Sequence, residues 1–177
     1  RGAGIAHFFL EGRGERPLTG LPAAARAARY RLLAEAAGRI GADLIATAHT
    51  ADDQAETVLM RRARGEGRGL SGMAPATLLD GRFWIVRPLL GQRRAALRED
   101  LRRAGVAWIE DPTNTDVAYE RARLRLRLGD PEIDAALALS ARAVADRQAL
   151  GTAAARLIDA HAASPLPGLH DCELGSM

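Results

Sequence analysis

The sequence predicts an α/β fold with a parallel sheet, followed by a helical segment. Residues 23–39 carry apolar side chains at helical spacing. The short apolar run at residues 43–48 (DLIATA) is typical of a buried strand. Residues 51–64 show helical spacing again and end in arginines before a glycine, as helix C-termini often do. A helix, a buried strand and a helix in succession favour a parallel α/β sheet.

The rest of the chain is predicted to be mainly helical. Residues 82–86 (RFWIV) are typical of one strand of a hairpin, residues 92–104 of an amphipathic helix, and residues 131–161 of an alanine-rich helix. These patterns predict three parts: an α/β domain over residues 1–90, a helical segment over residues 91–163 and a disordered tail over residues 164–177.

Composition excludes several classes of protein. The 177 residues are 47% hydrophobic and 27% charged, which is typical of one soluble globular domain. The single cysteine, Cys172, excludes a disulfide framework and a cysteine-rich metal site. The sequence has no apolar run of about 18 residues and no signal peptide, so we expect a cytoplasmic protein without a membrane partner.

The basic residues are unusual, because all 25 are arginine and none is lysine. Arginine presents a planar, permanently charged fork that suits phosphate or carboxylate. The absence of lysine excludes a Schiff-base mechanism and a P-loop lysine. The net charge of +3 is compatible with a nucleic-acid partner but does not establish one.

Polar residues concentrate where the predicted strand gives way to the next helix. His49 follows the strand, and Asp53 and Glu56, three residues apart, share one face of the first helical turn. Ligands of open α/β sheets bind beyond the carboxyl ends of the strands. Two carboxylates at this position could hold a substrate ammonium, share a metal ion or support acid–base chemistry with the histidine. Asp52 points elsewhere and suits a cap or a supporting role.

A purely structural interpretation of this cluster is also available. Thr50 and Asp53 match the capping box T-x-x-D, and acidic residues in a first turn complement the helix dipole. A cap accounts for one or two of the polar residues in this stretch, however. The stretch contains five of them: His49, Asp52, Asp53, Gln54 and Glu56.

Two further stretches each have two interpretations. The glycine-rich run that begins at Arg64 (RGEGRGLSG) could wrap a phosphate or form a mobile surface loop. The alternating arginines of residues 119–127 could form a charged helix face or contact RNA phosphates.

Residues 45–75 (IATAHTADDQAETVLMRRARGEGRGLSGMAP) resemble the signature region of the tRNA(Ile)-lysidine synthetases, a family of the PP-loop ATP pyrophosphatase superfamily. Three flanking motifs agree in order and spacing: the A-A-R-x-x-R-Y helix, WIVRPLL and WIEDPTNTDVAYERARLR. The resemblance covers approximately residues 18–150. It implies a PP-loop α/β domain followed by the helical segment of that family.

The resemblance also implies a reaction. These ligases join free L-lysine to C2 of the wobble cytidine-34 of the tRNA(Ile) that has a CAU anticodon. ATP adenylates the C2 oxygen and releases pyrophosphate, and the lysine amine then displaces AMP. Transferred motif by motif, the resemblance implies that His49, Asp53 and Glu56 are catalytic. It further implies substrate contacts at Arg29, Asp52 and Arg61, and RNA contacts at Arg64, Arg121, Arg123 and Arg125.

One departure from the family pattern is large. The family's ATP site is built on an S-G-G-x-D-S loop after the first strand, and this sequence contains no such loop. We therefore expect an N-terminally truncated chain with an incomplete PP-loop domain, which does not bind ATP in the usual way. The cofactor that the resemblance implies is ATP, with Mg²⁺. An incomplete sheet exposes an apolar edge, which favours self-association as a homodimer. The alternative function is a catalytically inactive RNA- or partner-binding remnant of the enzyme.

Overall fold

The computed structural model describes residues 5–11, 20–65, 67–110, 116–166 and 169–172 of the chain. These residues form two compact units. The first unit lies within residues 1–49 and 74–91, and the second within residues 50–73 and 92–177. The division into domains at residue 90 that the sequence suggests stays a prediction.

Helices dominate the described part of the chain. The α-helices are α1 Leu21–Arg39, α2 Ala51–Ala63, α3 Arg94–Arg103, α4 Glu120–Arg127 and α5 Asp130–His161. A 3₁₀ turn spans Gly67–Ser71. The strands are β1 Leu44–Ala46, β2 Ala76–Leu79, β3 Phe83–Val86, β4 Ala162–Leu166 and β5 Leu169–Cys172.

The first unit contains a three-stranded sheet in the order β1–β3–β2. β1 pairs with β3 in parallel, with Ile45 opposite Ile85, and β2 pairs with β3 as an antiparallel hairpin. Asp80 and Gly81 make the hairpin turn, and both have positive φ, the conformation that tight hairpins require. The predicted α/β class and the hairpin strand are thereby confirmed, the strand at residues 83–86. The sheet is mixed rather than wholly parallel, because β2 joins it through the antiparallel hairpin.

The core of the first unit lies between α1 and this sheet. Ala37 of α1 is buried with Ile45, Phe83 and Ile85, and partly buried residues of α1 such as Leu33 pack against them. These side chains belong to the apolar face that helical spacing predicts for α1 and to inward positions of the strands. Burial of this face fixes α1 against the sheet.

The second unit is built on the pairing of α2 with α5. Ala55 and Val58 of α2 are fully buried against Ile133 and Ala136 of α5. Because each helix contributes an alanine to the contact, the two helices can approach closely there. Within each helix the two residues are three positions apart, which is a spacing expected of one buried helix face.

Some sequence predictions concern residues with little or no description. Residues 111–115, which belong to the WIEDPTNTDVAYERARLR motif, lie outside the described residues. β4 begins in the predicted helical segment and extends into the tail predicted to be disordered, where its backbone pairs with that of β5 in antiparallel fashion. No helix in the described ranges has the length and apolar character needed to cross a membrane.

Candidate functional site

The first turn of α2 is fixed by a reciprocal cap. The Asp53 carboxylate accepts hydrogen bonds of 2.8 Å from both the backbone N–H and the hydroxyl of Thr50. In return, the backbone N–H of Asp53 donates to the Thr50 hydroxyl at 3.4 Å. This is the capping box that T-x-x-D predicts, and it orients the Asp53 side chain. The Oδ1 atom of Asp53 accepts from Arg94 of α3 at 3.0 Å.

Glu56, one turn further along α2, is a buried carboxylate surrounded by arginines. Its side chain is 2% exposed. Arg121 Nε donates to Oε2 at 2.7 Å, and Arg125 holds both carboxylate oxygens, through Nε at 2.8 Å and Nη2 at 3.0 Å. Arg94 adds a longer contact of 3.4 Å. A buried charge is tolerated only when it is paired and hydrogen-bonded, and Glu56 meets both conditions.

We call Asp53, Glu56, Arg94, Arg121 and Arg125 the charge cluster. It joins α2, α3 and α4 of the second unit and contains three guanidinium groups and two carboxylates. Arg121 and Arg125 also lie 3.6 and 3.5 Å from Asp53 Oδ1. Because these groups are paired with one another, a zwitterion could bind here only in competition with the internal ion pairs.

The surroundings of Asp53 change its acidity. Burial by itself raises the pKa of this carboxyl, but the backbone and side-chain hydrogen bonds from Thr50 and the charges of Arg94 and Arg121 lower it. The net result is a pKa below the ordinary value of 3.8. Asp53 is therefore ionised at neutral pH and is suited to contact cations rather than to donate protons.

The lowered pKa of Asp53 predicts how stability depends on pH. A carboxylate whose pKa is lower in the folded state stabilises the fold above its unfolded pKa of about 3.9. That contribution is lost as the pH falls from about 3.9 through the lower pKa that Asp53 has in the folded state. Urea unfolding should show that Asp53→Asn is less stable than the wild type near neutral pH, and that the difference shrinks below about pH 4.

The control for this measurement is the exposed Asp146 of α5, changed to Asn. This change removes a carboxylate that has no part in the charge cluster. If the difference between the wild type and Asp53→Asn stayed the same from about pH 6 to about pH 3, the stabilising role of the ionised form would be contradicted.

Asp52 links α2 to the start of α3. Its Oδ2 accepts a 2.7 Å hydrogen bond from the backbone N–H of Arg94 and lies 3.6 Å from Arg93 Nε. Arg93 continues the connection to α5 through Asp130 at 2.6 Å and Asp134 at 3.3 Å. Asp52 thus holds the start of the helix that supplies Arg94, which fits the supporting role suggested by the sequence.

The glycine-rich segment after α2 is held by side chains of that helix. Arg61 Nη1 donates to the carbonyl groups of Gly69 and Gly72, at 3.0 and 2.8 Å. The buried amide of Gln54 donates to Met73 O at 3.1 Å and accepts from Met73 N at 2.7 Å. The carbonyl groups of this segment face arginine and glutamine donors, so its observed contacts are those of an ordered turn.

The predicted site residues in the first unit are His49 and Arg29. Nδ1 of His49 lies 2.9 Å from the Thr47 hydroxyl, which itself donates to Val86 O at 3.4 Å. This contact holds the imidazole ring in a partly buried position. Arg29 lies on the exposed surface of α1.

Helix α4 separates its arginines into two sets. Arg121 and Arg125, four residues apart, contact Glu56, whereas Arg123 is exposed and bonds the carbonyl groups of Val117 and Ala118. Arg64 of the α2 C-terminus pairs with Glu120 at 2.7 Å, and both side chains are about half exposed. Arg121 and Arg125 thus form internal ion pairs, which neither interpretation of the alternating arginines foresaw, and RNA contact by these residues stays a prediction.

The main residue that sequence reasoning missed is Arg94. It supplies two contacts to the carboxylates of the charge cluster, yet it lies 38 residues beyond Glu56. Its local pattern is an ordinary amphipathic helix start, so no local signal marks it. Within the described ranges, no three His, Cys, Asp or Glu side chains are arranged to hold a metal ion.

Comparison with known proteins agrees with this architecture. The sequence model of the PP-loop domain family matches residues 6–132, so the chain belongs to this family. The chain is also similar to two proteins named tRNA(Ile)-lysidine synthase. The alignment with the protein of Mesorhizobium japonicum is 57% identical over 175 residues and covers 94% of this chain and 38% of the relative. The alignment with the protein of Brucella ovis is 52% identical over 126 residues and covers 70% of this chain and 28% of the relative. The chain thus spans well under half of either relative.

Proposed function

We propose that this chain is part of a tRNA-modifying ligase that joins L-lysine to C2 of the wobble cytidine-34 of tRNA(Ile) with a CAU anticodon. The observation that carries the proposal is the 57% identity to a tRNA(Ile)-lysidine synthase, which extends over 94% of the chain. In this reaction ATP is cleaved to AMP and pyrophosphate, and the cytidine C2–oxygen bond is replaced by a bond from C2 to the lysine nitrogen.

ATP use is implied by the PP-loop family. The sequence contains no S-G-G-x-D-S loop, so we assign none of its residues to the ATP phosphates. The carboxylates of the charge cluster pair with arginines, so we also assign none of them to Mg²⁺. We propose that Mg²⁺ accompanies ATP in the complete protein. Self-association as a homodimer stays a prediction.

The charge cluster suits free lysine, because an amino acid carries both signs of charge. Asp53 and Glu56 would contact an ammonium group, and a neighbouring guanidinium such as that of Arg94 would contact the carboxylate. Lysine has to compete with arginine for the carboxylates, since Arg121 and Arg125 occupy both oxygens of Glu56. His49 is the proposed candidate for proton transfer, since an imidazole ring can both accept and donate a proton.

The remaining predicted contacts stay predictions. Arg29, Asp52 and Arg61 are proposed to bind or support substrate, and the proposed RNA contacts are Arg64, Arg121, Arg123 and Arg125. The contacts of Asp52 and Arg61 support indirect roles, since Asp52 holds the start of α3 and Arg61 holds the glycine-rich turn.

The direct test is lysine incorporation by the complete protein that contains this chain. Radiolabelled lysine, ATP and a tRNA(Ile) transcript with a CAU anticodon should give labelled tRNA, with one AMP released for each lysine joined. A transcript with uridine at position 34 is the matched control and should stay unlabelled. Binding of the transcript without any incorporation would reject the ligase and favour the catalytically inactive RNA-binding remnant.

A further inference from the structure

A shallow groove lies between α2 and α4, on the side of α4 away from the charge cluster. Leu59, Met60 and Ala63 of α2 line it together with Leu124 of α4, and the charged residues Glu120, Arg123 and Arg127 complete its lining. We call it the α2–α4 groove. Its volume is about 170 Å³. Drug-sized ligands occupy pockets of roughly 300–1,000 Å³, so this groove suits one flat group of a larger partner.

Helical geometry explains why these two arginines differ from the other two on α4. Successive residues advance by 100°, so Arg123 and Arg127 share one face, and Arg121 and Arg125 share the opposite face. The inward pair neutralises Glu56. In the part of the chain that the structure describes, no carboxylate pairs with Arg123 or Arg127.

The guanidinium of Arg123 is ordered and still has donors to offer. Its Nη1 donates to Val117 O at 2.7 Å and to Ala118 O at 3.0 Å, which fixes the side chain without neutralising it. Among the described residues its Nε and Nη2 meet no acceptor. Glu120 also lines the groove, but Arg64 pairs with it at 2.7 Å. The groove therefore carries excess positive charge beside an apolar surface.

We propose that the α2–α4 groove binds one unstacked nucleotide of RNA, with Arg123 and Arg127 contacting the phosphates on either side of it. The inference rests on the proposed function, which supplies tRNA as the partner. Proteins bind unpaired nucleotides by combining phosphate contacts from arginine with apolar or aromatic cover for a base. An apolar surface beside two uncompensated arginines provides both parts.

The test is the salt dependence of binding between the full chain and a tRNA(Ile) transcript, followed by fluorescence anisotropy. The double variant Arg123→Ala/Arg127→Ala should bind about tenfold more weakly. The slope of log K against log salt should fall by about 1.4, since each phosphate contact to a single strand contributes roughly 0.7. The matched control is Arg147→Ala/Arg156→Ala, which removes two exposed arginines of α5 and should change the affinity and the slope little.

A second variant tests the apolar part of the groove separately. Ala63→Leu fills the groove without changing any charge, and it should weaken binding about fivefold with an unchanged salt slope. Circular dichroism should show the wild-type helix content for every variant. When poly-glutamate replaces the tRNA, the wild type and Ala63→Leu should bind it with the same affinity, because a polymer of carboxylates has no base to enter the groove.

Three results would overturn the inference. The first is equal weakening by the groove variant and the α5 control, and the second is an Ala63→Leu protein that binds like the wild type. Either result, obtained with a chain that binds tRNA, leaves the proposed function standing. The third is a chain that shows no tRNA binding at all, in which case lysine incorporation by the complete protein decides the proposed function on its own.

Discussion

Replacement of Glu56 by alanine is expected to lower the free energy of unfolding by about 3–5 kcal/mol, the usual cost of removing one partner from a buried ion pair. The carboxylate is 2% exposed and accepts hydrogen bonds from Arg121 and Arg125. Its loss leaves several guanidinium groups close together with too little negative charge. Urea unfolding, followed by circular dichroism at neutral pH, measures the change.

The matched control is Glu35→Ala on α1. Glu35 also pairs with an arginine, Arg31, at 3.1 Å, but its side chain is 41% exposed. Exposed pairs of this kind contribute about 0.5 kcal/mol or less, so Glu35→Ala should be nearly neutral. Similar costs for Glu56→Ala and Glu35→Ala would contradict the view that burial makes the charge cluster important to stability.

Replacement of Gly72 by alanine is expected to cost about 2–5 kcal/mol. Gly72 has a φ of +69°, which an L side chain adopts only with strain of about 1–2 kcal/mol. A Cβ atom there would lie 2.5 Å from Gln54 Nε2 and 2.8 Å from Oε1. The Gln54 amide cannot move aside cheaply, because it is bonded to both backbone groups of Met73, and a broken buried hydrogen bond costs about 1–3 kcal/mol.

Gly65→Ala separates the strain from the contact. Gly65 has nearly the same φ, +73°, but nothing lies within 4 Å of the position of its Cβ. It should therefore show the strain alone, and urea unfolding should find it less damaging than Gly72→Ala by about 1–3 kcal/mol. If the two variants lost equal stability, the contact between Gly72 and Gln54 would have no energetic role.

The elements that the sequence predicts well are those specified by neighbouring residues. The start of α2 follows from T-x-x-D, and one strand of the hairpin follows from the apolar run RFWIV. The buried face of α2 follows from helical spacing. In each case the residues that determine the structure lie within a few positions of one another, so their interactions can be inferred without a fold.

The partners of Glu56 could not be predicted in this way. Arg121 and Arg125 lie 65 and 69 residues further along the chain, and only the folded helices bring them to the carboxylate. The sequence shows arginines that alternate with apolar residues and does not tell which ones face inward. The helical geometry of α4 determines which arginines face inward, since it places every second arginine of the series on the same face.

The short length of α4 has a consequence for its local stability. The helix has eight residues, too few to be stable in isolation, and Ala122 is its one buried residue. Its attachment depends on ion pairs from Arg121 and Arg125, whereas α2 and α5 are joined by a close-packed apolar contact. Opening of α4 should therefore require less free energy than global unfolding, so its amide hydrogens belong to the fast-exchanging part of the molecule.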